Sequence, residues 1–132
     1  MTTLTQTWNQ GRAESARRSR VTVGILWALQ IFGAAMFLMA GGSKLAGVPM
    51  MVQMFGVIGI GQWFRYVTGT IEVVSAVLLL IPSVASYGAA ALAVTMIGAI
   101  ITHLFIVGGN PAVPIVLLAS TSVIAWARWS DR

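Results

Sequence analysis

The chain has 132 residues, of which 58% are apolar and 8% are charged, and it carries a formal net charge of +5. Soluble proteins average about 25% charged residues, so this composition indicates a membrane protein and leaves no room for a separate soluble domain. The basic residues are few and gather at the ends of apolar runs, which excludes a nucleic-acid-binding surface, and the absence of cysteine excludes thiol redox chemistry and iron-sulfur ligation.

The first 20 residues are polar and rich in Thr, Gln and Arg. They show no sustained helical periodicity, so the sequence predicts a disordered, basic tail over residues 1–20. An apolar run over about 21–40 is longer than the core of a signal peptide and predicts an uncleaved first span. Gly41, Gly42 and Ser43 are expected to end that span, with Lys44 at the membrane interface.

The next segment is apolar but is interrupted by glycines and by Pro49, which makes a straight spanning helix improbable. Pro49 is expected to begin a short interfacial or re-entrant helix that continues through Phe55. Three further spans are predicted over about 64–81, 84–107 and 112–129. The predicted fold is therefore all-α: a polytopic four-transmembrane-helix bundle that occupies residues 21–132.

The distribution of basic residues predicts the orientation of the spans. Arg12, Arg17, Arg18 and Arg20 precede the first span, and Arg128 and Arg132 follow the last. Only Lys44 and Arg65 flank the long loop on the other side. Because Lys and Arg are retained on the cytoplasmic side, both termini are predicted to be cytoplasmic in the bacterial inner membrane.

Glu72 is the residue most indicative of function, because a carboxyl group inside an apolar span costs a few kcal/mol. At about 100° per residue it shares a face with Arg65, Gly69 and Ser75, and that face is expected to meet other helices. Lys44 and His103 are predicted at similar depths in the outer half of the membrane. Lys44, Glu72, His103 and Arg65 are therefore candidates for a proton-binding or ligand-binding site.

A structural interpretation of the same residues stays open: Glu72 and Lys44 would neutralise each other while His103 bonds a carbonyl. One histidine and one glutamate make a poor metal site, and no residue is assigned as catalytic.

The chain resembles the DoxX-like family of small bacterial membrane proteins over residues 31–129. The resemblance rests on three short motifs: Gly42-Ser43-Lys44-Leu45 with Gly47, Gly69 with Glu72 and then Leu78-Leu79-Leu80-Ile81-Pro82, and Ala99 with His103-Leu104. It implies a four-helix membrane bundle, and some relatives are associated with quinone-linked oxidation. Lys44, Glu72 and His103 match recurring polar positions of the family.

Three hypotheses of function follow. The first is a membrane subunit that binds a lipophilic ligand such as a quinone and serves an oxidoreductase partner, without catalysing a reaction on its own. The second is a small proton-coupled exporter in which a homo-oligomer pairs its Glu72 residues. The third is a scaffold or assembly factor whose polar cluster fixes helix register and whose surface binds another membrane protein.

Overall fold

The computed structural model describes residues 3–129 as a succession of helices. Helix α1 spans Leu4–Ala46, α2 Pro49–Ile58, α3 Trp63–Leu79, α4 Ala85–Thr102 and α5 Ala112–Trp129. Helix α4 continues directly into a π-helical turn at His103–Val107. Strands are absent from these described residues, so the predicted all-α class is confirmed.

The four longer helices pack against one another. Helix α1 packs against α3 and α5, while α4 packs between α3 and α5. Phe37, Leu79, Leu92 and Ile124 are fully buried where these helices meet. Large apolar side chains such as Val94, Phe105 and Trp126 instead lie on the outer surface. An apolar exterior around an interior that also holds polar side chains is the arrangement expected in lipid.

Three of the described helices are long and apolar enough to cross a membrane: α1, α4 with its π-helical turn, and α5. The last two coincide with the predicted spans at 84–107 and 112–129. Helix α3 overlaps the predicted span at 64–81, starting one residue earlier and ending two residues sooner, but has only 17 residues. A bilayer about 30 Å thick requires about 20 residues, so the length of α3 alone does not identify it as a span.

The predicted disordered tail is helical where the structure describes it. Helix α1 begins at Leu4 and runs without interruption into the first apolar segment. Thr3 and Gln6 form a capping box, in which each side chain bonds the backbone N–H of the other residue. Because the apolar segment already nucleates the helix, extending it by further residues costs little free energy. The capping box also provides acceptors for backbone N–H groups at the start of α1. Residues 1–2 lie outside the described part.

The predicted end of the first helix at Gly41-Gly42-Ser43 is also wrong. Helix α1 continues through Gly41 and Gly42 and ends at Ala46, with Gly47 as its cap at φ 73°. A left-handed residue at this position is a common helix terminator and favours glycine. Gly41 serves close helix packing, and Lys44 is a helical residue in the last turn of α1.

The short helix predicted from Pro49 is present as α2 and extends three residues beyond Phe55. Pro49 stands in its first turn, where the missing N–H costs nothing. Phe55 is the one buried side chain of α2, and its ring meets Phe64 edge to face at 5.8 Å between centroids. Helix α2 thus rests on the end of the bundle that holds Lys44.

Candidate functional site

A buried ion pair joins α1 to α3. Lys44 Nζ lies 2.8 Å from Glu72 Oε1, and the Glu72 side chain is 2% exposed while that of Lys44 is 14% exposed. The two residues come from helices separated by the whole of α2 in sequence. The structure therefore brings together two of the side chains that the sequence predicted as neighbours.

The pair forms because two glycines let the helices approach closely. A Cβ atom on Gly41 would lie 2.8 Å from Val73 Cγ2 and 2.9 Å from the Gly69 carbonyl oxygen. A Cβ on Gly69 would lie 3.0 Å from Lys44 Cβ. Such contacts leave no space for a larger residue at either position, as at other small-residue contacts between membrane helices. This crossing places the Lys44 side chain beside Glu72.

Arg65 lies beside the site at the end of α1. Its guanidinium donates through Nε to Gln62 Oε1 at 2.9 Å and through Nη1 to the carbonyl oxygen of Lys44. It also lies over the Tyr66 ring, 4.4 Å from the centroid, and is 5% exposed. The last carbonyls of a helix lack intrahelical donors and carry partial negative charge, so a guanidinium stabilises this end of α1. Arg65 therefore fixes the backbone from which Lys44 projects.

Glu72 retains an unused acceptor. Its Oε2 atom is buried and has no hydrogen-bond partner among the described residues, whereas Oε1 faces Lys44. Buried carboxylate oxygens are normally hydrogen-bonded, because an unsatisfied one keeps its desolvation cost. Oε2 is thus an acceptor in the middle of α3 that could take a donor from a bound molecule.

His103 does not join the pair. It is the first residue of the π-helical turn, and its Nδ1 lies 2.9 Å from the Ala99 carbonyl oxygen one turn earlier. Within residues 3–129 no hydrogen bond or ion pair links it to Lys44 or Glu72. The geometry matches the structural interpretation of His103, although π-helical turns are frequent at functional sites.

A second polar cluster, which the sequence analysis did not identify, lies near the opposite end of the bundle. Gln30 is fully buried; its Nε2 donates to the Leu79 carbonyl oxygen at 2.7 Å, and its Oε1 accepts from Arg128 Nε at 2.9 Å. Arg128 is 7% exposed and lies 5.7 Å from the Trp27 ring centroid. It is therefore buried between helices, although an arginine at the end of an apolar run is typical of an exposed interfacial position. The sequence feature that could have indicated this cluster is Gln30, an uncharged polar residue within an apolar run.

Replacement of Gln30 by leucine is expected to destabilise the bundle by about 2 kcal/mol, because it removes the buried side-chain donor to the Leu79 carbonyl and the acceptor of Arg128 Nε. Gln53→Leu, on the exposed surface of α2, provides the control and should change stability by less than about 0.5 kcal/mol. Denaturation of both variants in mild detergent measures the difference. Equal stability of the two would show that the Gln30 hydrogen bonds contribute nothing net.

The fold and its buried ion pair define an all-helical membrane protein with polar groups enclosed in an apolar bundle. A family model for the DoxX-like family matches residues 28–126, more than half of the chain. The chain therefore belongs to the DoxX-like family, and the predicted resemblance is confirmed. No curated protein and no solved structure matches the chain.

Proposed function

We propose that this DoxX-like protein is a membrane subunit that binds a ligand of the quinone and quinol class at Lys44 and Glu72, for an oxidoreductase partner. The observation that carries the proposal is the buried Glu72 Oε2 atom with no donor among the described residues. An acceptor held in an apolar interior fits a lipophilic molecule that carries a hydroxyl group.

The two charged side chains complement the two oxidation states of such a ligand. A quinol hydroxyl can donate to Glu72 Oε2, and a quinone carbonyl can accept from Lys44 Nζ. Hydrogen bonds to charged groups contribute about 1.5–3 kcal/mol each, which suffices to select a polar ring over a lipid chain. Since the sequence has no cysteine, thiol chemistry is absent and the electrons would pass to or from the partner protein.

The proposed membrane arrangement has four spans, formed by α1, α3, α4 and α5. Helix α3 is included although it is shorter than the roughly 20 residues that a span usually requires. Its 17 residues rise about 26 Å, and Trp63 and Tyr66 at its start are typical interfacial anchors. Both termini would lie in the cytoplasm and α2 at the outer surface of the inner membrane, as the distribution of arginines favours. Arg132 in that distribution lies outside the described residues.

Titration of the protein in nanodiscs with a short-tailed quinol tests the binding proposal. The wild type is expected to bind it saturably, and Glu72→Gln to bind it at least about 10-fold more weakly, because the charge-assisted hydrogen bond is lost. Gln53→Glu alters a carboxamide away from the pair and should bind like the wild type. Equal affinity of the wild type and Glu72→Gln would refute a ligand site at Glu72.

The scaffold hypothesis remains the second candidate, favoured by the close contact of Gly41 with Gly69 around the ion pair. It expects a rigid bundle whose polar groups satisfy one another and bind no ligand. The exporter hypothesis is disfavoured by the position of Glu72. This carboxylate is 2% exposed and pairs with a lysine of its own chain, so it is not on a surface that a second copy could share.

A further inference from the structure

A ligand cannot reach Glu72 in the conformation described, since the side chain is 2% exposed. Some part of the bundle must move before the proposed ligand binds. The four long helices pack together through a continuous apolar core, which resists separation. Helix α2 lies outside this core and contributes one buried side chain, Phe55. Elements with little buried apolar surface are those that open most readily.

Both ends of α2 join the bundle through glycines in the left-handed region. Gly47 precedes the helix with φ 73°, and Gly59 and Gly61 follow it with φ 86° and 107°. Other residues rarely adopt these angles, so the chain can turn sharply at both ends of α2. Hinges of moving segments are commonly a few such positions at the ends of an element.

A continuous series of contacts connects α2 to the ion pair. Gln62 Nε2 donates to the Val52 carbonyl oxygen of α2 at 3.1 Å, while its Oε1 accepts from Arg65 Nε. Arg65 in turn donates to the Lys44 carbonyl oxygen. Its Nη1 also lies beside Gly47, 3.3 Å from where a Cβ would stand. One carboxamide, that of Gln62, therefore bonds both α2 and the guanidinium that holds the end of α1.

We infer that α2 is a lid over the Lys44 and Glu72 pair and that Gln62 and Arg65 are positioning residues, with the Gln62 carboxamide as the latch. When the bond to Val52 breaks, α2 swings on its glycine hinges and opens the site at the end of the bundle where α1 terminates and α3 begins. The inference rests on the proposed function only for the identity of the molecule that enters. The lid itself is defined by the contacts of α2 and can be measured without a ligand.

Lys44 is the only lysine in the sequence, which makes its chemical reactivity a direct measure of lid opening. The full chain in phosphatidylcholine nanodiscs is treated with sulfosuccinimidyl acetate, and acetylation at residue 44 is followed by peptide mass spectrometry. Gln62→Glu keeps an acceptor for Arg65 but removes the donor to Val52. Gln62→Glu is expected to raise the acetylation rate of Lys44 about 5-fold. The rate follows the population of the open conformation, and the loss of one hydrogen bond raises that population by about this factor.

The matched control is Gln53→Glu, the same change on the exposed face of α2, which should leave the rate unchanged. A second variant, Phe55→Cys with Phe64→Cys, is designed to hold the lid closed. The two residues are in contact, so a short bifunctional methanethiosulfonate reagent can join the two new cysteines and fix α2 to α3. The linkage is specific because the chain has no other cysteine. The linked protein should react more slowly than its reduced form.

Equal rates before and after reduction of the linker, or equal increases for the two Glu variants, would overturn the lid. Quinol binding is measured separately on the wild type and on Glu72→Gln, so failure of the lid and failure of the ligand site give different results. If the protein binds quinol but the acetylation rate of Lys44 does not depend on α2, the ligand site at Glu72 is supported and the lid is refuted.

Discussion

Replacement of Lys44 by methionine is expected to destabilise the bundle by about 3 kcal/mol. The change leaves the Glu72 carboxylate buried at 2% exposure with neither oxygen paired. Removal of one partner of a buried ion pair is far more costly than removal of both, because the remaining charge keeps its desolvation penalty. Denaturation in mixed detergent micelles measures the loss.

The double variant Lys44→Met with Glu72→Leu provides the control for that experiment. It replaces both charges by apolar groups and should recover most of the lost stability. Loss of stability in the double variant equal to that in Lys44→Met would show that the pair itself, rather than the unpaired carboxylate, stabilises the fold. A stable double variant that no longer binds quinol would separate the binding role of the pair from its structural role.

Replacement of Gly41 by alanine is expected to cost about 2 kcal/mol more than the same replacement of Gly42. The two glycines are adjacent in α1 and gain the same helix propensity from alanine, so this contribution cancels. A Cβ on Gly41 would lie within 3.0 Å of Glu72 Cβ and closer to Val73 and Gly69, whereas a Cβ on Gly42 would meet nothing within 4 Å. The added methyl at Gly41 must therefore push α1 away from α3.

Thermal unfolding of the two alanine variants in detergent measures this difference. The Gly41 variant should also react faster at Lys44 with an amine reagent, because separation of the helices loosens the ion pair. Identical midpoints for the two variants would mean that α1 and α3 do not approach as closely as the structure places them.

Much of the fold follows from the sequence because the lipid environment enforces simple patterns. Runs of about 20 apolar residues must be helical in a bilayer, which is why α5 coincides with its predicted span. The same argument placed Glu72 toward the interior, since a carboxylate toward lipid is too costly. Pro49 correctly marked the start of a helix, because its chemistry is local.

The sequence misled where one residue type serves two purposes. Gly41 and Gly42 indicate a turn when considered locally, yet α1 passes through them, and Gly41 is the contact with α3. Only the position of the partner helix decides between these uses. Arg128 presents the same difficulty: a terminal arginine is typical of a membrane interface, but the buried Gln30 provides it with an acceptor inside the bundle.

The site was predicted in part for a related reason. The predicted order of the spans put Lys44 and Glu72 at similar depths, and they do pair. It could not show that His103 finds its acceptor within its own helix, at Ala99, or that Gln62 links α2 to Arg65. Those contacts depend on side-chain direction and loop geometry, which residue spacing does not determine.

Native mass spectrometry of the protein released from mild detergent tests the central claim most directly. We expect the wild type to retain a small hydrophobic molecule with the mass of a quinone or quinol, and the folded Glu72→Gln variant to lack it. Absence of any such molecule from both proteins, together with no binding of added quinol, would contradict the ligand site and favour the scaffold.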